Sequence, residues 1–233
     1  MWKAASVPSQ DFYITKLPRE HRRGSSASES LDLLQRKVIT AGLNGRHVFI
    51  TGFAGTGKKF TLFELIKSFR KDGRRAAVTA STGSAGVAIG GSTVHSFLHL
   101  GLGDLSLLQA RTRTISNVSL QKKLQAVDTL VVDEISMIDG HLFDLVEAVC
   151  SAARQKRFYF SKVPENEVSR SAFGGLQIVV CGDFFQLAPV QSRFNSNISF
   201  AFESKAWRKT IEIFFCSTHS SSPGLSSFLW YFI

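Results

Sequence analysis

The stretch of sequence that decides the fold reads His47-Val48-Phe49-Ile50-Thr51-Gly52-Phe53-Ala54-Gly55-Thr56-Gly57-Lys58-Lys59. An apolar run, a glycine-rich loop and a helical pattern follow one another, which is the order of a buried strand, a phosphate-binding loop and a helix. Glycines let backbone N–H groups turn toward phosphate oxygens, and the helix N-terminus adds a favourable dipole. The stretch therefore predicts a nucleotide site.

Individual residues of this loop have expected roles. The predicted nucleotide contacts are Gly52, Ala54, Gly55, Thr56, Gly57, Lys58 and Lys59. Lys58 is expected to reach the β- and γ-phosphates. The next position ordinarily carries a Ser or Thr hydroxyl that holds Mg²⁺, but here it is Lys59. The loop thus predicts nucleotide binding, while Lys59 argues against efficient hydrolysis.

Composition narrows the class of protein. The 233 residues carry a formal net charge of +10 and a pI near 9.8, which favours a polyanionic partner such as nucleic acid, although a basic protein without such a partner stays possible. The three cysteines form no CxxC pair and no metal-ligand spacing, which fits a reducing compartment. No stretch approaches the roughly 20 apolar residues of a membrane span, so we expect no membrane association.

The chain divides into three parts by composition. Residues 1–30 are basic and contain a Ser-rich linker, which is typical of a flexible basic tail or of a mitochondrial transit peptide. Residues 31–211 form the predicted α/β domain. Residues 212–233 are an atypical tail: from Ile213 onward there is no Lys, Arg, Asp or Glu, and the pattern does not predict another strand or helix of the domain.

Within the central part, short apolar runs alternate with helical patterns. The predicted strands are 47–51, 76–80, 129–133 and 176–181, and the predicted helices include 31–39, 60–69 and 142–153. This alternation predicts a parallel sheet that is covered by helices on both faces. Residues 154–172 are rich in Lys and Arg and are predicted to form a loop, either a solvated excursion or a DNA-contacting segment.

Polar residues follow the predicted strands at their carboxyl ends, where ligands bind in open parallel sheets. Asp133 is expected to hold the Mg²⁺ shell and Glu134 to polarise the attacking water. Gln186, after the fourth strand, carries an amide that can bond a γ-phosphate. Together with Lys58, these three residues are the predicted catalytic set.

Two further clusters, residues 78–83 and 90–97, are rich in hydroxyls and glycines that suit phosphate contact. His95 and Phe97 lie in the second cluster. Their rings are candidates for stacking on nucleic-acid bases, and the alternative is core packing at a loop end.

In combination these motifs resemble those of the Pif-type DNA helicases of helicase superfamily one, from about residue 31 to residue 207. The matching segments are residues 51–58, 78–83, 90–103, 133–137, 173–190 and 200–204, followed by Trp207. The first five of these segments are motifs in the same order as in the family, which makes a chance similarity very improbable.

The resemblance implies a RecA-like P-loop NTPase domain, with a mainly parallel sheet and helices on both faces. It also implies use of ATP and Mg²⁺, 5′→3′ movement on single-stranded or forked DNA, and roles in DNA repair, recombination and telomere or mitochondrial genome maintenance, in the nucleus or the mitochondrion. By position, Gln35 matches the glutamine that reads adenine. The residues that match positions near the DNA strand are Thr82, His95, Ser96 and Phe97.

The sequence departs from the family in two ways, which limit the family properties that we expect of this chain. An ammonium at Lys59 has no lone pair for Mg²⁺ and repels the cation, and Thr61 is expected to face elsewhere, so we expect ATP binding with weakened Mg²⁺ retention and slow turnover. A helicase of this class needs two RecA-like domains, and the resemblance ends near Thr210. This motif content predicts that residues 1–233 alone do not unwind DNA. It also predicts that a partner or second copy completes the ATP site.

Two other functions are compatible with parts of the sequence. The first is a non-enzymatic nucleic-acid-binding remnant with little ATP turnover, which Lys59 favours. The second is a P-loop kinase acting on a small molecule, against which the strand-contact motifs and the charge of +10 argue.

Overall fold

The computed structural model describes residues 31–101, 104–159, 171–189, 199–211 and 213–217. Its strands are β1 (Val48–Gly52), β2 (Ala76–Ala80), β3 (Ser92–Thr93), β4 (Thr129–Asp133), β5 (Gln177–Cys181) and β6 (Ile213–Ser217). Its α-helices are α1 (Leu33–Leu43), α2 (Lys58–Lys71), α3 (Gly83–Ala88), α4 (Val94–Leu98), α5 (Leu107–Ser116), α6 (Val118–Gln125), α7 (Gly140–Tyr159) and α8 (Lys205–Thr210). Short 3-10 helices span Ile135–Met137, Ala172–Gly175 and Ala201–Glu203.

The described strands form one sheet in the order β3-β2-β4-β5-β1-β6, and every pair of neighbours is parallel. The predicted parallel α/β architecture is confirmed, and the four predicted strands lie within a residue of β1, β2, β4 and β5. Because β4, β5 and β1 are adjacent and parallel, the residues that follow them emerge at the same edge of the sheet. This edge holds the candidate site.

Side chains of the strands alternate between two apolar layers. Phe49, Leu130 and Ile178 pack on one face with residues of α4 through α8. Ile50 and Val131 pack on the other face with residues of α1 and α2. Helices therefore cover both faces of the sheet, as the near-continuous apolar character of the strands predicts.

Local signals set the ends of the two helices beside the glycine-rich loop. In α1, the Gln35 N–H donates to Asp32 Oδ1 at 2.7 Å and the Asp32 N–H donates to Gln35 Oε1 at 3.1 Å, which is a capping box. Helix α2 begins directly after Gly57, whose φ of 81° is left-handed, and ends at Lys71, with Asp72 as its C-cap before Gly73.

The predicted boundary at residue 153 is wrong. Helix α7 continues to Tyr159, so the first part of the predicted basic loop is helical. Arg154 is buried, and its guanidinium donates to the carbonyls of Gly174 (2.9 Å), Leu124 (2.7 Å) and Val127 (2.8 Å). Its positive charge indicated a surface residue, whereas it ties α6 and α7 to the Ala172–Gly175 turn. Residues 160–170 lie outside the described residues.

The expectation that no strand follows residue 212 is also wrong. Residues Ile213–Ser217 form β6, which pairs in parallel with β1 from Val48 to Gly52. The absence of charges in this segment suits an apolar strand, and the Ser-rich sequence beyond it obscured the pattern. The domain thus extends past the predicted boundary, while residues 1–30 and 218–233 lie outside the described residues.

Among the described helices, none combines the length and the apolar character that crossing a membrane requires.

Candidate nucleotide-binding site

The loop between β1 and α2 has the backbone geometry of a phosphate cradle. Gly55 and Gly57 both have φ of 81°, a conformation that is strained for residues with a side chain. A Cβ at Gly55 would meet no atom within 4 Å, so the space above the loop is open. Thr56 is buried and closes the loop through its hydroxyl, which donates to the Phe53 carbonyl at 2.8 Å.

The side chain of Lys58 folds back over this loop. Its ammonium donates to the carbonyls of Gly52 (2.6 Å) and Phe53 (2.9 Å). The same nitrogen lies 4.0 Å from Oδ2 of Asp183. The positive charge is therefore held at the mouth of the loop, where a bound phosphate would accept hydrogen bonds from it.

Asp183 is a site residue that the sequence analysis did not single out. It is 4% exposed, and its Oδ1 accepts a hydrogen bond from the Phe185 N–H at 3.0 Å. The pairing of strands β1 and β5 brings it opposite Lys58. An acidic residue two positions beyond a buried strand was the available signal, but its partner is 125 residues away in sequence.

Asp133 lies at the end of β4 and is 1% exposed. Its Oδ2 has no hydrogen-bond partner among the described residues. Burial, followed by the charge of Glu134, raises the pKa of Asp133 above its ordinary value. The thiol of Cys181, at the end of β5, partly offsets this rise in the pKa of Asp133, an effect that the sequence did not indicate.

Glu134 directly follows β4 and adopts a left-handed conformation with φ of 53° and ψ of 48°. Such a backbone is uncommon for a residue with a side chain and recurs at functional sites. Its Oε1 lies 3.1 Å from the Nζ of Lys59, so the two side chains form an ion pair. The predicted water-polarising carboxylate is therefore already paired with a cation.

Lys59 remains half-exposed while it makes this contact. Partial burial lowers its pKa, but the hydrogen bond to Glu134 and the charges of Asp133 and Glu134 outweigh that effect, so the pKa of Lys59 is raised. Lys59 is thus firmly cationic at neutral pH.

The residues present fit Mg²⁺ only in part. The partnerless Oδ2 of Asp133 is compatible with a metal's hydration shell, and this role stays a prediction. The position that ordinarily supplies a hydroxyl instead supplies the ammonium of Lys59, which lies against Glu134. Thr61 does not substitute, because it is 2% exposed and its hydroxyl donates to the Gly57 carbonyl at 3.1 Å. Taken together, the donor set does not match a magnesium site of this loop type.

The two glutamines predicted to contact nucleotide lie at the same edge of the sheet. Gln35 Nε2 would be 3.2 Å from a Cβ placed on Gly57, so the side chain borders the loop. Its Oε1 serves the α1 cap, which leaves the amide N–H groups for a base. Gln186 is exposed in the turn after β5, and its backbone N–H donates to the Asp183 carbonyl at 3.1 Å.

The residues predicted to lie near DNA differ in their exposure. Thr82 caps α3 by accepting the Ala85 N–H at 3.2 Å, and Ser96 is exposed. His95 is half-buried, and that burial lowers its pKa. Phe97 is 5% exposed within the core, and Lys123 Nζ lies 3.9 Å from its ring centroid. Base stacking by Phe97 is therefore wrong, and the core-packing alternative is confirmed for this ring.

A model of the PIF1-like helicase family matches residues 30–219, which is most of the chain. The chain belongs to the PIF1-like helicase family. It is 41% identical over 183 residues to the ATP-dependent DNA helicase PIF1 of Saccharomyces cerevisiae, an alignment that covers 77% of this chain and 20% of the yeast protein. Relatives in this family are thus ATP-dependent DNA helicases, and the chain spans about a fifth of this one.

Solved Pif1 structures share the fold. The Pif1 helicase of Candida albicans is 38% identical with a TM-score of 0.67, covering 81% of this chain and 40% of that chain. Two coordinating Pif1 helicases at forked double-stranded DNA match at 27% identity and a TM-score of 0.63, covering 83% and 45%. Bacteroides Pif1 with ADP-AlF3 and single-stranded DNA matches at 25% identity and a TM-score of 0.61, covering 83% and 44%. The RecA-like fold expected from the resemblance is confirmed.

Proposed function

We propose that this chain binds ATP and single-stranded DNA as the first RecA-like motor domain of a 5′→3′ DNA helicase. One observation carries the proposal: the glycine-rich loop after β1, Asp133 and Glu134 at the end of β4, and Asp183 after β5 converge at one edge of the sheet. Family membership supports it, as does the Bacteroides relative that holds ADP-AlF3 and single-stranded DNA.

Within this function, Lys58 holds the β- and γ-phosphates and Gln35 contacts the adenine. Glu134 is the group that activates water, and Gln186 senses the γ-phosphate. The ion pair between Lys59 and Glu134 opposes both Mg²⁺ retention and water activation, so turnover is slow. ATP binding and efficient hydrolysis are therefore separate properties of this site.

For DNA, Thr82, His95 and Ser96 are the proposed contacts, and the net charge of +10 supplies the attraction to phosphates. Single-stranded or forked DNA is the proposed substrate, supported by the relative with two coordinating Pif1 helicases at forked DNA. A second copy or a partner is proposed to complete the ATP site, and the two coordinating helicases of that relative support a second copy. The proposed biological role is DNA repair, recombination and telomere or mitochondrial genome maintenance, in the nucleus or the mitochondrion.

A second candidate is a nucleic-acid-binding module with little ATP turnover. The specific observation that favours it is again the Lys59–Glu134 ion pair, since a carboxylate held by an ammonium is a poor base.

The test is ATP binding, ATP hydrolysis and single-stranded DNA binding by the purified chain, each beside a Lys58→Ala variant. We expect nucleotide binding that is lost in the variant, DNA binding that weakens steeply with salt, and turnover that is slow but stimulated by DNA. DNA binding with no turnover selects the second candidate. Absence of nucleotide and DNA binding contradicts both.

A further inference from the structure

We propose that the ammonium of Lys59 takes the place of the divalent cation at this nucleotide site, so that the chain binds nucleoside triphosphates without Mg²⁺. The inference rests on the proposed nucleotide binding at the same loop. It goes further, because it assigns Lys59 a positive role in binding the substrate.

Position is the first support. Lys59 lies in the first turn of α2, next to Lys58 and beyond the loop in which Gly55 faces open space. Its ammonium sits 3.1 Å from Glu134 at the end of β4, the strand end whose carboxylates are expected to face a metal. The ammonium of Lys59 therefore already lies among the carboxylates that would attract a free metal ion.

Chemistry is the second support. A lysine ammonium is a compact charge with three N–H donors, and one of them serves Glu134. The other two can donate to phosphate oxygens, as a point charge that neutralises part of the triphosphate. Lys59 thus supplies the charge that the metal would bring, although it cannot bind and order water as Mg²⁺ does.

Exclusion of a second cation is the third support. A divalent ion placed between the phosphates and Asp133 would be next to the Lys59 ammonium, and like charges repel. Residue 61 offers no alternative ligand, because the Thr61 hydroxyl is buried against the Gly57 carbonyl. The same ion pair keeps Glu134 from acting on water, which couples metal-free binding to slow hydrolysis.

The experiment compares binding of a fluorescent ATP analogue to the full chain in Mg²⁺ and in EDTA. In the wild type the two affinities should agree within about threefold. In Lys59→Ser, which supplies the hydroxyl and removes the competing ammonium, Mg²⁺ should tighten binding by about tenfold, or about 1.4 kcal/mol. Residue 59 is half-exposed on the helix surface, so substitutions there are expected to preserve the fold.

Lys59→Met is the matched control, because it keeps nearly the length of the side chain, removes the charge and, unlike Lys59→Ser, supplies no hydroxyl. It should lose about tenfold in affinity in EDTA, where the wild type binds well. A Lys59→Met variant that binds in EDTA as tightly as the wild type overturns the assigned role of the ammonium.

Manganese provides a readout that is independent of turnover. With ATP present, the electron paramagnetic resonance signal of protein-bound Mn²⁺ should be weak in the wild type and strong in Lys59→Ser. Wild-type binding that requires Mg²⁺, or a strong Mn²⁺ signal from the wild type, overturns this inference and leaves the proposed function standing. No nucleotide binding in either buffer overturns both.

Discussion

The Nζ of Lys58 lies 4.0 Å from Oδ2 of Asp183, and the side chains are 13% and 5% exposed. The two residues follow β1 and β5, which are neighbours in the sheet. A nearly buried negative charge therefore faces the lysine that is expected to hold phosphate. In the absence of nucleotide the carboxylate balances the lysine, and in its presence the carboxylate opposes the phosphates.

Asp183→Asn should therefore tighten nucleotide binding. Even at the dielectric constant of water, unit charges about 4 Å apart interact by about 1 kcal/mol, so removing the carboxylate's repulsion of the phosphates should raise the affinity by at least about fivefold. The asparagine oxygen can still accept the Phe185 N–H, so the turn should stay intact. Titration of a fluorescent nucleotide measures the effect, and weaker binding by Asp183→Asn than by the wild type contradicts it.

Gly91→Ala should strongly destabilise the domain. A Cβ at Gly91 would lie 2.2 Å from the Val78 carbonyl oxygen in the neighbouring strand β2, and backbone cannot move aside as a side chain can. We expect a loss of about 3 kcal/mol in the free energy of unfolding, measured by urea denaturation.

The matched control is Gly83→Ala. Its Cβ would meet no atom within 4 Å, and Gly83 is exposed in the first turn of α3. Because alanine favours helix over glycine, its effect should be neutral or stabilising by less than about 1 kcal/mol. Equal destabilisation by the two substitutions would contradict the steric explanation.

Arg154→Met should destabilise the fold, although it preserves the apolar stem. The variant leaves the carbonyls of Leu124, Val127 and Gly174 without their buried donor, and we expect a loss of about 3 kcal/mol in the free energy of unfolding. Arg111→Met is the control. The Arg111 guanidinium is half-exposed and 4.0 Å from Glu147, so its removal should change stability by less than about 0.5 kcal/mol. Similar losses of stability for the two substitutions would refute the structural role assigned to Arg154.

Cys150 and Cys181 should resist alkylation in the folded protein. Burial raises the pKa of Cys150 to about 12 and that of Cys181 well above its ordinary value, and the thiolate is the reactive form. Mass spectrometry after iodoacetamide treatment should find both unmodified natively and both modified in urea. Rapid native labelling of either peptide would show that the buried positions are wrong.

His95 should make stability depend on pH. Burial lowers the pKa of His95 below 6.5, although the charge of Asp139 opposes this shift. The unfolded chain then binds the proton more readily, so the contribution of His95 is intact above about pH 6.5 and is lost as pH falls toward the folded-state pKa. Compared with His95→Gln, the wild type should lose more unfolding free energy between about pH 7.5 and about pH 5.5. Identical pH profiles would contradict this sign.

Local sequence predicted the secondary structure well where the residues that define a strand or loop are contiguous in the chain. The strands β2 and β4 match their predicted bounds, and the run Val48–Gly52 followed by the glycine-rich loop appears as predicted. An apolar run of five residues between turn signals is sufficient to predict such a strand. A strand that is buried on both faces has few polar residues, so it does not resemble a loop.

Prediction was poor wherever a residue's environment comes from a distant part of the chain. Arg154 has the charge of a surface residue but is surrounded by carbonyls from α6 and the Ala172–Gly175 turn. Phe97 has the ring of a base-stacking residue but is covered by Lys123. Strand β6 was missed because it is stabilised by pairing with β1, and the two strands lie far apart in sequence.

The sequence alone determined the parallel α/β fold, the phosphate-binding loop and the presence of an ammonium at residue 59, because each depends on residue type and spacing. Only the tertiary structure decided that Lys59 contacts Glu134 and that Lys58 faces Asp183. These pairs join residues that are 75 and 125 positions apart. Their distances follow from the order of β4, β5 and β1 in the sheet, and from the left-handed backbone at Glu134.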